Sequence, residues 1–232
     1  MFKEIRNRYI RYFVIIVYLL VMLVCAVEVN FLGLFGYSPT SRDIGKPIQP
    51  IASEVYTADS LLIGRYFKED RSPVPYDSIS TDVVNALVAT EDIRFFKHHG
   101  VDFWALFSSI VSTAQGDKRG GSTITQQLAK NLYRTRYSQS VGLLGKIPGV
   151  NILVVKFKEW MTAYKLESRY GKKEIITMYL NTVSFSNNAY GIKTVARRYF
   201  NKEPGDLTAA EAAVLIGMLK GTTLYNPIRN PD

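Results

Sequence analysis

The chain has 232 residues and a formal charge of +9, enough for one sizeable domain plus an appendage but not for two large domains. Its first 36 residues hold four Lys/Arg and two Asp/Glu, so the remainder has 25 cations against 18 anions, or +7. That surplus suits an anionic membrane surface or a phosphate-bearing substrate, whereas nucleic acid fits poorly because no basic–aromatic module stands out.

Residues 1–11 form a basic tail containing Lys3, Arg6, Arg8 and Arg11. Residues 12–35 carry one charge, Glu28, around the run YFVIIVYLLVMLVCAV. At about 1.5 Å per residue this stretch can cross a bilayer as a helix. A buried core helix is seldom apolar all round for such a length. Residues 36–64 supply only Arg42 and Lys46, so the positive-inside rule places the N-terminus in the cytoplasm and the rest outside. No small-x-small site ends the run, which argues against a cleaved signal peptide. Cys25 follows Val24 and reads as an ordinary apolar membrane residue, leaving the exported part without thiol or disulfide chemistry.

Residues 36–52, rich in Pro, Ser and Gly, read as a linker. Two β-prone runs, 53–57 and 61–67, flank Ala58-Asp59-Ser60 and predict a hairpin. Two prolines within 71–76 separate this element, 53–76, from a helical remainder, 77–232. There TDVVNALVAT, FWALFSSIVSTA and KFKEWMTAYKLESRY predict helices. In the last, Phe157, Trp160, Met161 and Tyr164 recur at i, i+3, i+4 and i+7 as an apolar stripe, and Gly171 suits a C-terminal cap. Thr208 and Glu211 have the spacing of a capping box that opens AAEAAVLIGML. Residues 140–155 are apolar with Gly and Pro breaks around Lys146, which fits either a buried loop with a strand or a lobe in the membrane interface.

Four stretches carry candidate chemistry. In ATEDIRFFKHHGVD, Glu91 and Asp92 end a helical pattern and precede aromatics. A carboxylate held there partly away from water can serve as a general base, or the pair can simply end a surface helix. His98 and His99, the only histidines, have poor metal-ligand spacing and read as turn residues or hydrogen-bond donors. GGSTITQQLAKN, residues 120–131, joins paired glycines to Ser122, Thr123, Thr125, Gln126, Gln127 and Lys130. This suits a sugar- or phosphate-binding loop, or a polar loop that caps a helix, and it lacks the GK[ST] of nucleotide phosphate loops. Glu159 lies roughly opposite the apolar stripe of its helix, where a solvated carboxylate is the ordinary case. Arg197 and Arg198, in the otherwise structural NNAYGIKTVARRYF, are further candidates for phosphate.

Taken in order, these stretches resemble family 51 glycosyltransferases, the polymerase domains of penicillin-binding proteins. The first motif of that family, E-D-x-x-F-x-x-H-x-G, is met by Glu91, Asp92, Phe95, His98 and Gly100. The second, G-G-S-T-I-T-Q-Q, is met unchanged by residues 120–127, followed by Lys130 and Asn131. The third, R-K-x-x-E, is met by Lys156 and Glu159, but Val155 stands where arginine is usual. The fourth, K-x-E-I-x-x-x-Y-L-N, is met by Lys172 or Lys173 with Glu174, Ile175, Tyr179, Leu180 and Asn181. The resemblance runs from about residue 53 to 231.

It implies a mainly α, lysozyme-like glycosyltransferase domain over residues 53–232, with a short β-hairpin and a smaller membrane-proximal jaw lobe, preceded by one transmembrane helix. It implies polymerisation of lipid II into β-1,4 glycan strands with inversion and release of undecaprenyl pyrophosphate. Glu91 is then the base, and Glu159 a second catalytic carboxylate that holds a divalent metal, Mg or Mn, or orients the pyrophosphate. Lys130 and Lys156, with Arg134 or Arg136, carry the phosphate charge. The remaining motif residues, Asp92, Phe95, His98, Ser122, Thr123, Thr125, Gln126, Gln127 and Asn131, are substrate-binding. The arginine missing at 155 would share a helix face with Glu159, and Lys158 or an arginine of 134–136 is expected to replace it. No organic cofactor is implied. The partners are lipid II, the growing glycan strand, the membrane and other cell-wall synthesis and division proteins. The location is the cytoplasmic membrane, single-pass, with the catalytic domain extracytoplasmic. No SxxK motif occurs. The hairpin looks more like that of two-activity relatives, which suggests a portion of a longer protein. The alternatives are a lytic enzyme of the same shape, or a catalytically silent tether of a cell-wall complex.

Overall fold

In a computed structural model the chain is described over residues 2–45, 47, 53–66, 70–116, 120–133, 141–186, 188–222, 224–227 and 229. Helix α1, Phe2–Glu28, opens it. Its segment Arg8–Glu28 has a mean hydropathy of 2.7 and is long and apolar enough to cross a membrane. The helical span therefore sits further upstream than the expected 12–35. Asn30 ends it in the left-handed conformation (φ 48°, ψ 53°), which asparagine tolerates. Its side-chain Oδ1 accepts the N–H groups of Phe35 (3.1 Å) and Gly36 (2.7 Å). Residues 31–36 thus turn back onto the domain, where Val27 and Phe35 bury against Val154. The Leu34 carbonyl accepts the N–H of Leu144 at 2.9 Å.

The described part of the expected linker is docked. A short helix α2, Ser41–Gly45, buries Ile44, whose carbonyl accepts the Tyr170 hydroxyl at 2.8 Å. Lys165 bridges Glu28 and the Pro39 carbonyl. A composition of Pro, Ser and Gly concealed one buried isoleucine and these long-range ties.

Strands β1, Ser53–Tyr56, and β2, Leu62–Tyr66, form the expected antiparallel hairpin. A second sheet was not visible in the sequence. β3, Asp70–Arg71, runs parallel to β5, Ala189–Tyr190, which pairs antiparallel with β4, Ser184–Ser186. It joins residues 70–71 to the segment 184–190, far along the chain.

The rest is helical: α3, Thr81–Glu91; α4, Phe103–Ala114; α5, Ile124–Tyr133; α6, Val150–Arg169; α7, Lys172–Thr182; α8, Ile192–Phe200; and α9, Ala209–Gly217. Leu87, Leu128, Ile175, Leu180, Val195 and Ile216 meet in one core drawn from α3, α5, α7, α8 and α9. The Thr208–Glu211 capping box forms as its spacing predicts, with the Thr208 N–H reaching Glu211 Oε2 at 2.9 Å. Gly171 does not close α6. It opens α7 at φ −70°, its N–H donating to Glu174 Oε2 (2.8 Å), while the extended Tyr170 ends α6.

Two helices depart from simple amphipathicity. α6 buries Lys158, Glu159, Thr162, Ala163 and Leu166, while Tyr164 is 62% exposed. The expected orientation was the reverse. Its apolar stripe is real, but Phe157 and Met161 lie half-buried against the end of α1 and the turn that follows it, and α5 covers the polar side. α4 begins at Asp102, whose carboxylate accepts the N–H of Ala105 (2.9 Å), and none of its residues is buried. Phe103, Trp104, Phe107 and Ile110 are all more than half exposed. Residues 141–155 form no strand. A 3-10 turn, Leu143–Lys146, leads into α6 and leaves Leu143, Ile152 and Leu153 exposed.

Candidate active site

Glu91 and Asp92 are adjacent but face different ways. Glu91 is the last residue of α3 and is half-buried, and Gln127 on α5 donates Nε2–H to its Oε2 at 2.7 Å. The Gln127 Oε1 in turn accepts the hydroxyl of Tyr179 on α7 at 3.0 Å. Asp92 is buried. Its carboxylate lies 3.0 Å from His98 Nε2 and accepts the N–H of Ile124, the first residue of α5, at 3.1 Å. A carboxylate at a helix N-terminus meets unpaired N–H groups and the positive end of the dipole, so Asp92 fastens α3 to α5. The pair divides into an inward structural carboxylate and a half-open one.

The segment 120–131 divides similarly. Gly121 packs closely against α4, where a Cβ would lie 2.4 Å from Ser109 Oγ and that hydroxyl would have to turn away. Gly100, at φ +86°, leaves no room for a Cβ beside the Ala163 backbone. Thr123 Oγ donates to the Gly100 carbonyl at 2.6 Å and caps α5 by accepting the Gln126 N–H. Gln126 Nε2 also donates to the Gly100 carbonyl, at 3.4 Å. Thr125 donates to Glu167 Oε1 at 2.7 Å, and Glu167 pairs with Lys172 at the same distance. Lys172 also donates to the His98 carbonyl and lies 4.3 Å above the Phe95 ring.

These contacts divide the expected site residues into buried and half-exposed ones. Phe95 has no exposed surface, and Asp92, Thr123, Thr125 and Gln126 are buried with their polar atoms engaged inside the protein. They build the frame that holds α3, α5 and α6 together. His98 joins them through Asp92. Ser122, Gln127, Lys130 and Asn131 stay half-exposed.

On α6, Glu159 is 1% exposed and paired with Lys156 at 2.8 Å. Lys156 also donates to Ser122 Oγ at 3.0 Å, so one ammonium links the second and third motifs. Glu159 is therefore no solvated surface carboxylate. Val155 lines, with Val141, Gly145, Asn151, Ile152 and Lys156, a mostly apolar groove of about 320 Å³ beside that ammonium. Lys158 does not replace the missing arginine. It is buried, donates to the Phe35 carbonyl at 3.0 Å, and burial pushes its ammonium down to about 8. Arg197 is held by Glu203 at 2.6 Å. Arg134 and Arg136 lie outside the described residues.

Among the described residues, Asp92, His98 and Asp102 bring possible metal-ligand atoms within 4.8 Å of one another. Each is already engaged, Asp102 with Arg94 Nε at 2.8 Å, and the trio serves as a hydrogen-bonded frame. Glu159 is engaged as well, by Lys156, so a divalent ion there would have to displace that ammonium and draw its other ligands from phosphate.

Tyr179 and Glu167, which reach the site residues, and Asn181, which ties α7 to Val74, carry roles that residue pattern alone did not give. Tyr179 follows Ile175 and Ile176 at i+4 and i+3 on a buried face, where a phenol needs a hydrogen-bond partner, and that signal was available.

A family model described as Transglycosylase matches residues 59–232. The chain is 36% identical over 189 residues to penicillin-binding protein 1A of Neisseria flavescens, covering 81% of this chain and 22% of that protein. It is equally similar to the protein of that name from Neisseria lactamica. With penicillin-binding protein 1A of Escherichia coli strain K12 it shares 34% identity over 224 residues, covering 93% of this chain and 25% of that protein. The chain thus spans about a quarter or less of the length of these relatives.

Proposed function

Because this chain belongs to the transglycosylase family, we infer that it polymerises the disaccharide units of lipid II into β-1,4 glycan strands of peptidoglycan and releases undecaprenyl pyrophosphate. The observation that carries the reading is the division among motif residues. Those with buried polar atoms are spent on the frame, while Glu91 and Lys156 remain half-open and both are tied to the same segment, 120–131.

In this reading Glu91 takes the proton from the 4-hydroxyl of the acceptor sugar. The freed oxygen forms its bond to C1 of the donor sugar as the bond from C1 to the pyrophosphate oxygen breaks, with inversion at C1. Negative charge grows on the departing pyrophosphate. Lys156, fixed by Ser122 and Glu159, and Lys130 on α5 supply fixed cations to meet it. A magnesium or manganese ion held by Glu159 with the pyrophosphate would neutralise part of the same charge.

The membrane placement has independent support. The exposed aromatics of α4 and the exposed Leu143, Ile152 and Leu153 suit an interface with lipid, where a lipid-linked donor resides. Arg8 and Arg11 at the start of the span favour a cytoplasmic N-terminus and an extracytoplasmic domain. The test is incubation of purified protein with labelled lipid II and separation of products by length. A ladder of lengthening strands is expected. Release of short fragments from preformed strands would favour a lytic enzyme, and no turnover would favour a silent tether.

A further inference from the structure

The amide of Gln127 has two unlike ends, and Glu91 chooses between them. An ionised carboxylate has only acceptor atoms, so it takes Nε2 and repels Oε1. With Nε2 committed at 2.7 Å, Oε1 faces α7 and needs a donor. The Tyr179 hydroxyl supplies it at 3.0 Å. Half a turn of the amide would set oxygen against carboxylate, and donation by Tyr179 opposes that turn. Tyr179 is well placed for the task. Its side chain has no exposed surface and is packed among Ile175, Ile176 and Leu180, so its ring cannot swing away. Burial, and then the charge of Glu91, pushes the phenol well above its usual range, so its proton stays in place.

Resting on the glycosyl-transfer reading above, we propose that Tyr179 is a positioning residue. Through Gln127 it fixes the carboxylate of Glu91 so that the oxygen not held by the amide is presented to the acceptor hydroxyl. It touches neither sugar. Its effect belongs to the proton transfer and not to substrate capture, and a misplaced base slows a reaction without weakening binding.

Tyr179→Phe removes the hydroxyl alone. With lipid II as substrate, kcat should fall about tenfold while KM stays within about twofold. Gln127→Met removes both ends of the relay and should fall at least as far. In the Gln127→Met background, adding Tyr179→Phe should cost nothing further, because residues that act through a common partner are not additive. A wild-type kcat in Tyr179→Phe, a loss confined to KM, or an additive loss in the double variant would overturn the proposal. Should Tyr179→Phe fail to give a native circular dichroism spectrum, Gln127→Met, at a half-exposed site, decides alone, and full kcat there overturns the relay. Glu91→Gln is assayed in parallel. If it still polymerises, the reading of Glu91 as base is at fault. If it is inactive beside a full-rate Tyr179→Phe, only the relay is.

Discussion

Asn181 stands in the fourth motif and could be taken for a substrate ligand, but its amide is consumed inside the fold. Its Oδ1 accepts the Val74 N–H at 3.0 Å and its Nδ2 donates to the Val74 carbonyl at 2.8 Å. Asn181 and Val74 are each 7% exposed, so water cannot easily replace the amide. Asn181→Ala therefore strands a buried donor and a buried acceptor, each costing about 1–3 kcal/mol when left unpaired. Partial relaxation of the Pro-flanked segment around Val74 would favour the lower end, for a total of about 3 kcal/mol. At about 2–4 °C per kcal/mol for a domain of this size, the melting temperature should drop by about 6–12 °C. Asn181→Asp should be no better, because it keeps the acceptor, loses the donor and buries a charge. Thermal unfolding in detergent, followed by circular dichroism, measures this. A drop under about 2 °C in Asn181→Ala, or a folded variant with its Tm unchanged and its KM raised severalfold, would refute the structural assignment.

Burial of the Lys158 ammonium gives a pH signature. Between pH 8 and 10.5 the folded chain loses that proton while the unfolded chain keeps its own, so stability should rise with pH by up to about 3 kcal/mol. The penalty is fully present below pH 8, and Lys158→Met should lack the rise; equal pH increments in both proteins would contradict the assignment. Val155→Arg, on the same helix face as Glu159, should keep or raise the polymerisation rate and reduce its dependence on added magnesium, whereas Lys156→Ala should be severely impaired. Rates across a magnesium titration check both, and a folded, inactive Val155→Arg or a full-rate Lys156→Ala would misplace the phosphate site. In a Trp160→Phe background Trp104 is the sole tryptophan, and brominated lipid in reconstituted vesicles should quench its emission. Unquenched fluorescence would leave α4 outside the membrane.

Local signals were legible in the sequence. The capping box of Thr208 and Glu211 and the hairpin over residues 53–66 depend on neighbours a few residues apart, and both form as spacing predicts. Long-range events were not. Two-residue strands pairing Asp70 with Ala189 have no period to detect. The α6 stripe was legible as apolar, but periodicity does not say what covers it. Here the other face carries the buried Lys158 and Glu159, the first held by the Phe35 carbonyl 123 positions away and the second by Lys156 one turn earlier on the same helix. The candidate site shows the same limit. A hydroxyl pattern such as STIT states the capacity for hydrogen bonds, not their direction. Thr123 turned to the Gly100 carbonyl and Thr125 to Glu167, 42 positions away, while Ser122 alone stayed near the open side.

Whether Glu91 is the base of a glycosyl transfer is tested by Glu91→Gln, a change of one atom type. The carboxamide keeps the size of the side chain and leaves the frame around Asp92 untouched, so the variant should fold and retain lipid II. Initial rates of strand formation from labelled lipid II, compared with wild type at equal bound substrate, should fall by about 10² to 10⁴, the usual worth of a positioned base. A folded Glu91→Gln protein that lengthens strands at near wild-type rate would contradict the account.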